Sequence, residues 1–144
     1  MARVTKFAID TKVPVSQTRV EIETTLAKFG ATSFAFATHV DRATVMFEAM
    51  KRRVRFELKL PSASTEARTA KLHRERWRAL FLAIKAKLVS VDTEIETFED
   101  AFMSHIVLSD GSTVGESIKP ALIEQYKSGK MVPLLGPPSS EQRP

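Results

Sequence analysis

The chain has 144 residues, 43% hydrophobic and 27% charged, with a formal net charge of +5, values that fit an ordinary globular domain with a core of its own. It contains no cysteine, which excludes disulfides, thiolate nucleophiles and cysteine-based zinc sites. No stretch approaches the roughly 20 apolar residues that span a bilayer, and the alternating residues after Met1-Ala2-Arg3 do not read as a secretory leader, so a cytoplasmic protein with no membrane association is expected.

From Val4 to Val13 apolar and polar residues mix without helical period, and Phe7 and Ile9 share one side, which predicts a strand ended by Pro14. Ser16 or Thr18 can cap the following helix, with Glu21 at capping-box spacing from Thr18. Val20, Ile22, Leu26 and Phe29 give that helix an apolar side, and Gly30 stands where a left-handed terminating residue is expected. Three strands follow. Phe34 and Phe36 alternate with small residues, Val45, Phe47 and Ala49 alternate with Thr44, Met46 and Glu48, and Val54, Phe56, Leu58 and Leu60 alternate with Arg53, Arg55, Glu57 and Lys59. The polar breaks at His39–Arg42 and Met50–Arg52 predict hairpin turns, and hence an antiparallel meander with one dry face.

Pro61 ends the last strand, and a small-residue linker over 62–70 leads into a long helix predicted over 68–92. Trp77, Leu80, Phe81, Ile84, Leu88 and Val91 recur at helical spacing along it. Thr97 and Asp100 fit a cap before a short helix from Phe98 to Val107, Asp110-Gly111 makes a turn, and Thr113 with Glu116 forms another capping box. Pro120 predicts that the last helix begins near Lys119 or kinks there, and Gly129 closes it. Residues 1–131 thus read as one α+β domain: a small antiparallel sheet of about four strands on a long central helix, with two or three further helices. Residues 132–144, with Pro133, Pro137, Pro138 and Pro144, are expected to form a loosely ordered tail.

The run Arg74-x-Arg76-Trp77-Arg78-Ala79-Leu80, then Ile84-Lys85-Ala86-Lys87-Leu88, Thr97-Phe98-Glu99 and Leu108-x-Asp110-Gly111-x-Thr113-Val114-Gly115 resembles a family of small uncharacterised proteins encoded in phage and prophage genomes. Val13-Pro14-Val15 and Arg52-Arg53-Val54-Arg55-Phe56 are similar too, so the resemblance spans most of residues 13–135, although the linker after Pro61 is short for that family. It implies a phage setting, in which DNA handling, inhibition of host defence and regulation are common tasks. It carries over no activity and no site residue.

Charge is unevenly spread. Residues 1–93 hold 18 Lys/Arg against 9 Asp/Glu, whereas residues 94–144 hold 4 against 8. A basic front joined to an acidic end predicts an anionic partner for the first two-thirds, the alternative being a mixed, solvated surface. Lys51, Arg52, Arg53, Arg55 and Lys59 form one cluster, and Arg53, Arg55 and Lys59 share a strand face able to track phosphates. The helix carries a second stripe of Lys71, Arg74, Arg78 and Lys85, flanking its apolar centre by about 60–120°. The alternative for both is ordinary: cations on a wet face whose stems cover apolar surface. Trp77 falls on the apolar stripe and reads as core. The small back face of Ala79, Ala83 and Ala86 could admit another helix, either Phe98–Val107 or one from a second protomer.

Catalytic and metal patterns are missing. Glu94, Glu96, Glu99 and Asp100 match no calcium loop, and His39, His73 and His105 form no ligand pair. No nucleophile elbow, P-loop or dinucleotide fingerprint occurs, so a non-enzyme without cofactor or metal is expected. The leading expectation is an accessory protein that binds DNA, single-stranded in preference, through phosphate contacts. Its alternative is a protein-binding inhibitor or regulator of a host or defence factor, using the acidic third or the apolar residues Met131, Val132, Leu134 and Leu135. A third reading is an assembly role built on homo-oligomers.

Overall fold

The strict alternation over residues 42–60 leaves the chain one economical solution, a sheet that hides every second side chain. The computed structural model describes residues 8–134 and contains helix α1 (Val15–Phe29), strands β1 (Ser33–Thr38), β2 (Arg42–Ala49) and β3 (Arg52–Lys59), helix α2 (Glu66–Asp92) and short helix α3 (Phe98–Phe102). A 3-10 turn at Met103–His105 and helix α4 (Val114–Ser128) follow. The three strands form an antiparallel meander in the order β1-β2-β3. Its register places Phe34 opposite Phe47, Phe47 opposite Val54, Phe36 opposite Val45 and Val45 opposite Phe56, so all six share the inner face.

That face meets α2 and α3. Trp77, Leu80, Phe81, Ile84 and Leu88 of α2 are buried with Ile22 and Leu26 of α1 in the same cluster as Val45, Phe47, Val54 and Phe56. Phe102 is fully buried and meets Phe47 and Phe56 edge-on, at 5.9 and 6.3 Å between centroids, while Phe98 lies 4.9 Å from it and stacks on Phe29. Such edge-to-face pairs add about 0.5–1.5 kcal/mol each beyond simple burial. Trp77 is 2% exposed and tilted against Phe36, as its place on the stripe predicts.

Helix ends largely follow local chemistry. Gly30 and Gly129 adopt left-handed backbone at the ends of α1 and α4, and Thr65, Thr97 and Thr113 accept hydrogen bonds at the starts of α2, α3 and α4.

Several expectations are corrected. The predicted strand at Val4–Val13 is absent over residues 8–13, and residues 4–7 lie outside the described part. Ala8 and Asp10 have positive φ, and Asp10 is held to α2 by Glu75 and Lys71, so polar anchoring replaces strand geometry. Among the described residues the sheet therefore has three strands rather than about four, and the edge of β3 is met from the C-terminal third of the chain. After the 3-10 turn, Ile106 becomes extended and bridges to Val54, with the Val107 N–H donating to the Arg53 carbonyl at 2.8 Å. For that reason the helix predicted to reach Val107 stops at Phe102. Neither Ser16 nor Thr18 caps α1. Pro14 occupies that position, and Thr18 lies inside the first turn at 0% exposure with its hydroxyl unpartnered. The capping box at Thr113 starts α4 before Pro120, which sits inside the helix. Gly115 is required by that docking, since a Cβ there would lie 2.9 Å from the Ser104 carbonyl oxygen.

Two outcomes follow from these contacts. A buried hydroxyl without a partner costs about 1–3 kcal/mol, so Thr18→Val should raise the urea midpoint; a lower midpoint would show that the hydroxyl is satisfied. The His105 ring stacks on Phe56 at 4.0 Å, and its burial, then Lys87 and Lys119, hold its pKa below the ordinary 6.5. The unfolded chain therefore binds this proton more readily, and stability should be full above that value and decline as pH falls below it, by at most about 1.4 kcal/mol per unit. His105→Gln should flatten this segment of a stability-versus-pH curve.

Candidate nucleic-acid interface

Period-two geometry puts Arg53, Arg55, Glu57 and Lys59 on the sheet face turned away from the core, with Val54 and Phe56 on the other. Because α2 packs against the inner face, the sheet separates the strand cations from the helix cations, and the two predicted clusters do not merge into one surface.

Within each cluster the cations have different fates. Arg55 is tied down: its guanidinium donates to the Gly111 carbonyl at 2.7 Å and to the Glu116 carboxylate, and lies 3.5 Å from Glu57. Its side chain keeps 17% exposure, so it joins β3 to the start of α4 and offers little to a phosphate. Glu116 takes two roles there. The Thr113 backbone N–H and the Arg55 charge both favour its ionised form and hold its pKa below the usual carboxylate value.

On α2, Lys71 pairs with Asp10 at 2.6 Å, and each favours the charged form of the other. Arg78 pairs with Glu21 of α1 and lies over the Phe81 ring at 4.6 Å. Arg74 is half-buried, with its Nε shielded and unpartnered. Lys85 stays exposed, its Nζ 5.9 Å from the Phe81 centroid. The stripe thus serves mainly to seat α1 and the segment before it on α2. These surface pairs add little to stability, but each carboxylate cancels a charge that a phosphate would need.

The hairpin between β2 and β3 is different. Met50 and Lys51 form its two-residue turn with φ of +52° and +61°, the left-handed pair that matches the twist of the flanking strands. Lys51, Arg52 and Arg53 are exposed and have no ion pair among the described residues; Arg52 donates only to the Met50 carbonyl, at 3.0 Å. A shallow groove beside them is lined by Glu48, Ile106, Val107, Leu108 and Ser109. At the far end of β3, Lys59 is exposed opposite Arg42, a cation the sequence reading passed over. Arg19 was missed as well: it covers Phe36 at 4.7 Å and Trp77 at 5.8 Å, a cross-element contact that no spacing rule signals. Among the described residues, no group of three or more acidic, histidine or cysteine side chains could hold a metal ion, and no helix is long and apolar enough to cross a membrane.

The chain matches no protein-family model, and no curated protein or solved structure is similar enough to match it.

If Arg55 is a tie rather than a ligand contact, Arg55→Ala should lower the melting temperature while leaving retention on heparin or DNA close to wild type. Equal loss of retention in Arg55→Ala and Arg53→Ala would contradict that division.

Proposed function

We propose that the protein is a non-catalytic, phage-type accessory factor that binds DNA through phosphate contacts made by the tip of the β2–β3 hairpin. The observation that carries this reading is the run Lys51-Arg52-Arg53, three adjacent exposed cations, unpaired among the described residues, at the two-residue turn and the first two positions of β3. Lys59 and Lys85 add positive potential from other parts of the surface, whereas Arg55, Lys71 and Arg78 are spent on ion pairs and Arg74 is half-buried. Phe34, Phe36, Phe47 and Phe56 turn inward, so among the described residues no aromatic platform stands beside the hairpin cations for bases to stack on. The support is therefore for backbone contacts, which single and double strands both offer, and not for base reading.

Three phosphate contacts give a shallow but measurable salt dependence. With a slope near −0.9 per contact on duplex DNA, affinity should fall about 40-fold between about 50 and 200 mM salt. Mobility shift with short single- and double-stranded oligonucleotides should show this loss, and changing Lys51, Arg52 and Arg53 together to Ala should abolish binding. Binding indifferent to salt, or retained in the triple variant, would overturn the reading.

A second reading rests on α4. Leu122, Ile123 and Tyr126 are exposed along it, Tyr126 at 87%, and Met131 follows in the open. Such a face suits a protein-binding inhibitor or regulator. Val132 is half-buried and its carbonyl accepts from Gln125, while Leu135 lies outside the described residues.

A further inference from the structure

The two edges of the sheet are treated differently. The β3 edge carries Arg55, Glu57 and Lys59 and is met by Ile106–Val107. The β1 edge, Ser33-Phe34-Ala35-Phe36-Ala37-Thr38, has no charge and no proline, and among the described residues its only backbone partner is β2. Natural sheets ordinarily protect such an edge.

Hydrogen-bond parity determines which groups lie open. The His39 N–H donates to the Arg42 carbonyl at 2.8 Å, which makes that pair hydrogen-bonded; by alternation Ala37 with Thr44 and Ala35 with Met46 are hydrogen-bonded as well, and at the start of the strand the Thr32 N–H donates to the Glu48 carbonyl at 2.9 Å. The N–H and C=O groups of Phe34, Phe36 and Thr38 therefore face away from β2. Two copies of this edge can pair antiparallel about a two-fold axis at Phe36. Phe36 then opposes its equivalent, Phe34 opposes Thr38, and every outward backbone group of the three residues finds a partner. Ala35 opposes Ala37 on the outer face, and no β1 side chain brings a charge to the pairing, while Arg19 of each copy lies over its own Phe36 ring.

We propose that β1 is a homodimer interface, in which two chains join edge to edge into one continuous six-stranded antiparallel sheet. The occupant is a second copy because the edge is self-complementary: uncharged, lined outside by small side chains, and open at residues whose parity permits a symmetric register. The axis stands perpendicular to the sheet, so both hairpin tips lie on the same side of the dimer's sheet, at opposite ends. The inference stands apart from the DNA reading.

Sedimentation of the full chain over a concentration series should show a species of twice the monomer mass. Ala35→Lys with Ala37→Lys places like charges across the axis on exposed positions, and should return the monomer mass with an unchanged far-ultraviolet spectrum. The chain has no cysteine, so the register can be read separately. Ala35→Cys and Ala37→Cys variants, mixed and oxidised, should form a covalent dimer in far higher yield than either alone, since opposed residues here come within disulfide reach. A chain monomeric at every concentration would overturn the proposal. So would a dimer that survives the double Lys variant, one that dissociates instead on Ile123→Glu with Tyr126→Glu in α4, or equal cross-linking of the single Cys variants.

Discussion

Phe102 sits where the dry face of the sheet, the end of α1 and the C-terminal third converge. It meets Phe47 on β2 and Phe56 on β3 edge-on and is backed by Phe98, which in turn stacks on Phe29 of α1. A ring cannot satisfy two edge-on partners from many positions, so this contact fixes where α3 lies against the sheet. The chain leaving α3 then has a short path to the β3 edge, where Val107 pairs with Arg53. From there the turn at Asp110-Gly111 and the capping box at Thr113 direct α4, and Glu116 comes within reach of Arg55. The basic strand and the acidic third, distant in sequence, are joined through that chain of dependence.

The same geometry decides what the positive charge is for. The summed charge of the first 93 residues suggests one basic surface, yet the sheet has an inside and an outside, and its cations divide accordingly. Those on α2 lie beside α1, and two of them meet carboxylates there. Arg55, in the middle of β3, meets the start of α4. The hairpin tip escapes both because, among the described residues, nothing packs beyond the two-residue turn, which leaves Lys51, Arg52 and Arg53 exposed. Electrostatic potential close to the surface depends on how the charges are distributed as well as on their net sum.

Exposed apolar surface is not confined to Met50 at that tip. The β1 edge offers backbone groups and small side chains, and α4 offers Leu122, Ile123 and Tyr126 while burying no residue fully. Ala79, Ala83 and Ala86, the small face of α2, stay exposed, and α3 packs on another side of the helix, where Lys87 donates to the Ala101 carbonyl at 2.9 Å. The two open surfaces differ in kind. An edge demands a strand of matching parity, whereas a helix face accepts many shapes.

Local periodicity and end chemistry were enough to place the meander, the long helix, the core position of Trp77, and the ends at Gly30, Thr97, Thr113 and Gly129, because each depends on neighbours within a turn or a strand. Residues 8–13 and Pro14 misled the same rules: Asp10 is held by Lys71 and Glu75, more than 60 positions away, and a buried threonine is indistinguishable from a cap until its surroundings are known. Arg53 and Arg55 look identical in a period-two pattern. Only the tertiary structure sets them apart, bringing Glu116 and the Gly111 carbonyl to one and leaving the other in solvent. The sequence by itself determined which residues are cations and on which face of their element each one falls. Which of them remain available to a partner was decided by tertiary packing, because neutralising a charge requires a second group within a few ångströms, and here that group comes from a distant part of the chain.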